Sequence, residues 1–180
     1  MRIRWTGIET GSMETLELSV SADEVRATSV VENADRTLRY RARATAQWEF
    51  SDLLVDDDRA GSLHLVRSPC GEWSANGEPR PDLGAAIDID LSFSPFTNTL
   101  PIRRLALSPG ASRDIVTAYV TDALEVLPDP QRYTCLSRDH YLYESRDSDF
   151  RREILVDVAG LVLDYPGLYR RAPEQDSHGA

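Results

Sequence analysis

The chain has 180 residues, 41% of them hydrophobic and 28% charged, which suits one ordinary globular core and excludes a disordered chain. Its formal charge is −10 and its pI is near 4.7, so the average surface repels nucleic acid and anionic headgroups. All 20 basic residues are arginine, which fits background composition as well as any use of the guanidinium fork.

The stretch from Met1 carries no apolar run of signal-peptide length, and no window approaches the roughly 18 apolar residues of a membrane helix. A cytoplasmic protein without a transmembrane segment is expected. Leu16, Leu18 and Val20 alternate with polar residues, as do Val25, Ala27, Ser29 and Val31, and Ser21 to Asp23 supplies the turn of a hairpin. From Arg36 to Phe50 the alternation is longest, with Leu38, Tyr40, Ala42, Ala44, Ala46, Trp48 and Phe50 on one face. Period two over that length predicts a single long strand that bends.

Further strands are predicted at residues 53–55, 62–67, 72–75, 86–93, 115–121, 132–138, 141–144, 150–158 and 161–165. Turn signals separate most of them, among them DDDRAG, ANGEP, SPGAS, LPDPQ and SRDSD. Many short strands at regular spacing predict an antiparallel barrel or curved sheet. Helical pattern is confined to 97–107, where Thr97, Asn98 or Thr99 can cap and Pro101 sits in the first turn. One domain over 1–171 and a flexible tail over 172–180 complete the expected layout.

Chemistry is sparse. His64, His140 and His178 lack HxH or HExxH spacing, the acids at 56–58 lack the alternation of a calcium loop, and Cys70 and Cys135 form no CxxC pair. No metal, no cofactor and no catalytic residue is expected, since GxSxG, GxGxxG and GxxxxGK[ST] are all missing. Asp88 and Asp90 share a strand face in IDIDLSF, about 7 Å apart, a spacing that suits acid and base work on a sugar or ester. The plainer alternative is that they meet water or pair with Arg103, Arg104 or the arginines of 39–43. The aromatic residues on or beside strands fill a core or line a groove.

The run Ile87–Leu105, IDIDLSFSPFTNTLPIRRL, resembles the putative glycolipid-binding family, once a domain of unknown function; so do Gly71–Pro79, the Gln131-Arg132-Tyr133 step and GLVLDYPGLYRR. That resemblance spans nearly the whole chain. It implies a mainly β half-barrel or barrel with a hydrophobic groove, one or two short helices and a small amphipathic ligand such as a glycolipid. No catalytic residues come with it.

The prolines at 95 and 101 remove two backbone donors, so the segment between them is expected to form a rigid crossing at a barrel end. Ser94, Thr97 and Asn98 offer hydroxyl and amide groups there, Arg103 and Arg104 offer forks for a phosphate, carboxylate or sugar oxygen, and Phe96 anchors the segment or touches an acyl chain. Trp48, Asp88, Asp90 and Tyr165 complete the expected ligand-binding set. A lock between Asp88 or Asp90 and an arginine, with no ligand, is the alternative at that segment. For the whole chain, a non-catalytic binder leads; a hydrolase using Asp88 and Asp90, or a dimerising β-protein, stands beside it. The protomer is expected as a monomer or homodimer.

Overall fold

A computed structural model describes residues 1–173. In chain order the strands are β1 (Arg2–Gly7), β2 (Met13–Val20), β3 (Glu24–Asn33), β4 (Arg36–Thr45), β5 (Phe50–Asp57), β6 (Gly61–Arg67), β7 (Trp73–Ala75) and β8 (Glu78–Pro79). They continue with β9 (Asp88–Leu91), β10 (Ser112–Val120), β11 (Val126–Ser137), β12 (His140–Ser145), β13 (Arg151–Val156), β14 (Val162–Tyr165) and β15 (Tyr169–Arg171). One helix, α1 (Thr99–Leu105), follows a 3-10 turn at Pro95–Asn98. The fold is mainly β, as expected. The proposed flexible tail lies almost wholly outside the described residues.

All the strands belong to one sheet in the order β8-β7-β6-β5-β4-β3-β2-β1-β15-β14-β13-β12-β11-β10-β9. Neighbours run antiparallel except β9 and β10, which are parallel. The strands at the two ends of this order, β8 and β9, do not pair with each other, so the sheet stays open as a curved half-barrel. Burial follows the alternation: Leu38, Tyr40, Ala42 and Ala44 of β4 are buried while Arg39, Arg41 and Arg43 face outward.

The single strand predicted over 36–50 is two strands. The Thr45 hydroxyl accepts from the amides of Gln47 and Glu49 at 3.2 and 3.3 Å, and the Thr45 amide donates to the Glu49 carbonyl at 2.8 Å. Trp48 takes a left-handed φ of 67°, the chain reverses, and Ala44 faces Phe50 across the new pair. A Thr-capped turn hidden in an alternating run defeated the periodicity.

The turn predicted at LPDPQ is instead part of β11. Pro128 and Pro130 pair with Ala118 and Val116 of β10, and on the other side the ladder to β12 begins only at Gln131. The prolines therefore occupy positions that need no amide on that edge.

The segment expected to cross a barrel end lies inside. Phe93 through Ile102 are all buried, and both arms of the sheet pack on them. From one arm the Tyr40 hydroxyl meets Ser94 Oγ at 2.9 Å; from the other the Tyr133 hydroxyl donates to Asn98 Oδ1 at 2.9 Å. The larger core, around Trp5, Phe50, Leu53 and Phe96, lies on one side of this plug; a smaller one, around Tyr133, Tyr143 and Ile154, lies on the other.

Candidate functional site

Period two sorts β9 between two environments. Ile89 and Leu91 enter the larger core, whereas Asp88 and Asp90 turn to the opposite face. Parallel register sets Asp88 against Thr117 and Asp90 against Tyr119, and β11 brings Asp129 opposite Thr117. The result is a polar knot centred on Gln131, whose Nε2 lies 2.7 Å from Asp90 Oδ2, 2.7 Å from Asp129 Oδ2 and 3.1 Å from Thr117 Oγ1. One amide nitrogen with two hydrogens thus holds two carboxylates close together. Thr97 Oγ1 donates to Asp90 Oδ1 at 3.3 Å and accepts from the Leu91 amide at 3.1 Å, fixing the plug to the knot.

Asp90 and Asp129 open onto a cavity of about 410 Å³. Tyr119, Tyr143, Tyr165, Tyr169 and Phe150 form its aromatic walls, and Ser92, Ser94, Asn98, Ser145 and Ser148 add hydroxyl and amide groups. The Tyr169 hydroxyl is spent on the Ser92 carbonyl at 2.8 Å. No arginine is among the described residues that line this space.

Burial pushes the Asp90 carboxyl up to about 6, helped by the charge of Asp129 and opposed by the hydrogen bonds of Gln131 and Thr97. Asp129 is raised as well, again by burial and against the Gln131 bond. Burial raises the Tyr119, Tyr143 and Tyr165 hydroxyls, with the Asp90 charge adding to each. These phenols are therefore neutral at ordinary pH and able to donate.

Directly behind Ser94 lies a buried carboxylate. Glu14 Oε1 accepts from Ser29 Oγ at 2.7 Å, the Tyr40 hydroxyl at 2.7 Å and Ser94 Oγ at 2.9 Å, while its Oε2 is buried without a partner among the described residues. Burial raises this carboxyl from its ordinary 4.5 to about 7, despite those three hydrogen bonds.

Of the residues singled out by sequence, Asp90, Ser94, Asn98 and Tyr165 line the cavity. Thr97 and Phe96 are buried beside it, Thr97 bracing Asp90 and Phe96 within the larger core. Asp88 does not join Asp90 as a pair. Arg104 grips it through Nε at 3.1 and 3.2 Å and through Nη2 at 2.6 Å, with Asp88 wholly buried. Burial raises the Asp88 carboxyl and Arg104 pulls it back. The carboxylate that faces the cavity with Asp90 is Asp129.

Trp48 and Arg103 meet each other elsewhere, the guanidinium carbon 5.2 Å from the ring centroid. Neither they nor Arg104 line the cavity.

Sequence reasoning places Tyr119 and Tyr143 only among the strand aromatics that fill a core or line a groove, and it leaves Glu14, Asp129 and Gln131 out of the site. Glu14 did carry a signal, since it sits two residues before Leu16 and so in the inward phase of β2. Asp129 and Gln131 were hidden by the two prolines that made their segment resemble a turn.

The family described as "Putative glycolipid-binding" matches residues 2–171. The chain belongs to this family. A crystal structure of a DUF1089 family protein from Pseudomonas aeruginosa is similar to it, with 37% identity over 89% of this chain and 92% of that one and a TM-score of 0.76. No curated protein matches. The family match runs from β1 to β15, so the plug, the polar knot and every wall of the cavity lie within it.

Proposed function

We propose that the protein is a non-catalytic binder of an amphipathic small molecule of the glycolipid class, and that the cavity beside Asp90 and Asp129 seats its uncharged, polyhydroxylated headgroup. The observation that carries this is the lining itself: two close carboxylates, tyrosine walls and serine and asparagine groups, with no arginine among the described lining residues. Carboxylates and amides accept and donate to neighbouring sugar hydroxyls, and phenol rings offer flat apolar faces for ring C–H groups. An anionic headgroup would meet two carboxylates and no cation. Family membership supports a lipid-like ligand.

Cys70 and Cys135 are both free, which supports a reducing compartment and hence the cytoplasm. Among the described residues no helix is long and apolar enough to cross a membrane. A hydrolase working through Asp88 and Asp90 loses support from the Arg104 grip on Asp88.

Calorimetric titration below the micelle concentration tests the proposal, using dodecyl maltoside, dodecylphosphocholine and dodecanoate. Saturable binding of the maltoside alone is expected, weakened about tenfold by Asp129→Ala through loss of a charge-assisted hydrogen bond. Equal or tighter binding of dodecanoate would refute it, as would an Asp129→Ala variant of unchanged affinity.

A further inference from the structure

The parallel pairing of β9 with β10 begins at Asp88 opposite Thr117, yet β10 begins at Ser112. Residues 112–116 are thus paired with β11 on one side only. The direction of the spare groups follows from the ends of the strand. The Cys135 amide donates to the Ala111 carbonyl at 2.9 Å and the Thr121 amide to the Glu125 carbonyl at 2.9 Å, so odd-numbered residues face β11. The Ser92 amide donates to the Val120 carbonyl at 3.0 Å, so even-numbered residues face the β9 side. Alternation therefore turns the amides and carbonyls of Ser112 and Asp114 and the amide of Val116 toward an open edge, the Val116 carbonyl being taken up where the parallel ladder to Asp88 begins.

A groove of about 570 Å³ runs along that edge and includes residues from both faces of the strand. Val116 and Pro130, with Ile87, offer apolar surface on one face; Ile115 and Leu105 offer it on the other. Arg104, Arg113 and Arg146 border it. Its single acid, Asp114, is already engaged by Arg132 at 2.7 Å and Arg146 at 3.6 Å. Arg104 is held by Asp88 and Arg146 by Asp114, so Arg113 is the bordering cation left without a carboxylate partner among the described residues.

We propose that the open edge of β10 is a docking site for an extended peptide segment of alternating acidic and apolar residues, which adds to the sheet as a strand. Main-chain bonds to residues 112–116 would supply affinity, apolar side chains would enter the groove, and an acidic one would meet Arg113. Five residues is a usual strand length, so the edge offers a full strand's worth of pairing. A second copy of this chain fits poorly, because a two-fold pairing of these edges brings Arg113 of one copy near Arg113 of the other. The site is separate from the cavity and does not depend on the headgroup proposal.

The test uses a short fluorescein-labelled peptide alternating valine and glutamate, read by anisotropy on the intact protein. Two N-methylated isomers, one methylated on the valine amides and one on the glutamate amides, probe the backbone. In a strand only one set points at the protein, so one isomer should match the parent and the other should bind about tenfold more weakly or worse. Arg113→Glu should weaken the parent and favour a lysine-for-glutamate counterpart.

Equal binding of the two isomers would overturn the proposal, as would a lysine peptide that binds the wild type equally well, or no binding at millimolar peptide. A dimer in solution that Arg113→Asp alters would assign the edge to a second copy and overturn it too.

Discussion

Glu14 offers the sharpest test of how this core is held. Its carboxyl sits at about 7 instead of the ordinary 4.5, and burial is the main cause. At about 1.4 kcal/mol per pH unit, that difference corresponds to about 3 kcal/mol of unfavourable charge burial. Because the folded value lies above the unfolded one, the folded state holds the proton more tightly. The associated stability is fully present below about 4.5 and lost as pH rises through about 7. Glu14→Gln keeps the shape and the Oε1 acceptor for Ser29, Tyr40 and Ser94 but removes the charge. Urea unfolding of both proteins across that window isolates the effect, since every other titrating group is common to the pair. The variant should gain about 3 kcal/mol on the wild type between the acid and alkaline ends. Any constant cost from the amide cancels in the comparison. A difference in unfolding free energy that stays flat across the window would refute the argument that Glu14 is buried as a charge.

Arg104→Ala should cost about 3 to 5 kcal/mol in urea unfolding, because it leaves Asp88, wholly buried, as an unpaired charge. Adding Asp88→Asn should recover most of that loss; no recovery would mean that the arginine acts through packing alone. Asp129→Asn should move the Asp90 titration below about 6, since the Asp129 charge helps hold it up, and carbon-detected NMR of the carboxyl would follow it. Tyr133→Phe should cost about 1 kcal/mol by thermal unfolding, the usual value of one buried hydroxyl bond, here the one to Asn98.

Strand alternation was legible because one face of each strand is buried, which is the condition under which period two carries information. The β2–β3 hairpin around residues 21–23 shows it, with the Ser21 amide donating to the Glu24 carbonyl at 3.0 Å. Where local turn chemistry overrode the pattern, at Thr45 to Glu49, periodicity joined two strands into one. Proline misled at β11 because its cost in a sheet depends on whether the facing edge is paired, a property of the neighbour and not of the residue. The strands β1 and β15 were missed: β1 does alternate, with Ile3 and Trp5 buried between Arg2, Arg4 and Thr6, whereas the three residues of β15 are too few to show a period.

The same logic explains what could be read of the site. Asp90 stood out by the strand face it shares with Asp88, and Ser94, Asn98 and Tyr165 stood out because prolines, small polar residues and an aromatic near a turn signal ordered, non-repetitive backbone; all four border the cavity. Their partners came from strands distant in sequence. Asp129 and Gln131 are brought to Asp90 only by the register of β9 on β10 and of β10 on β11, and Glu14 is brought to Ser94 only because the plug enters the concave side.

The placement of the plug also answers why carboxylates stand among such apolar neighbours. A single-layer sheet curled around one short segment must satisfy that segment's polar groups from both arms at once. Glu14 does so from β2, Gln131 and Tyr133 from β11, and Arg104 from the segment itself through Asp88. Asp88 is fully committed to that role, whereas Asp90 is braced on one side by Thr97 and Gln131 and borders the cavity on the other. Two acids two residues apart on one strand thereby do different work. The difference is set by which of them the arginine reaches.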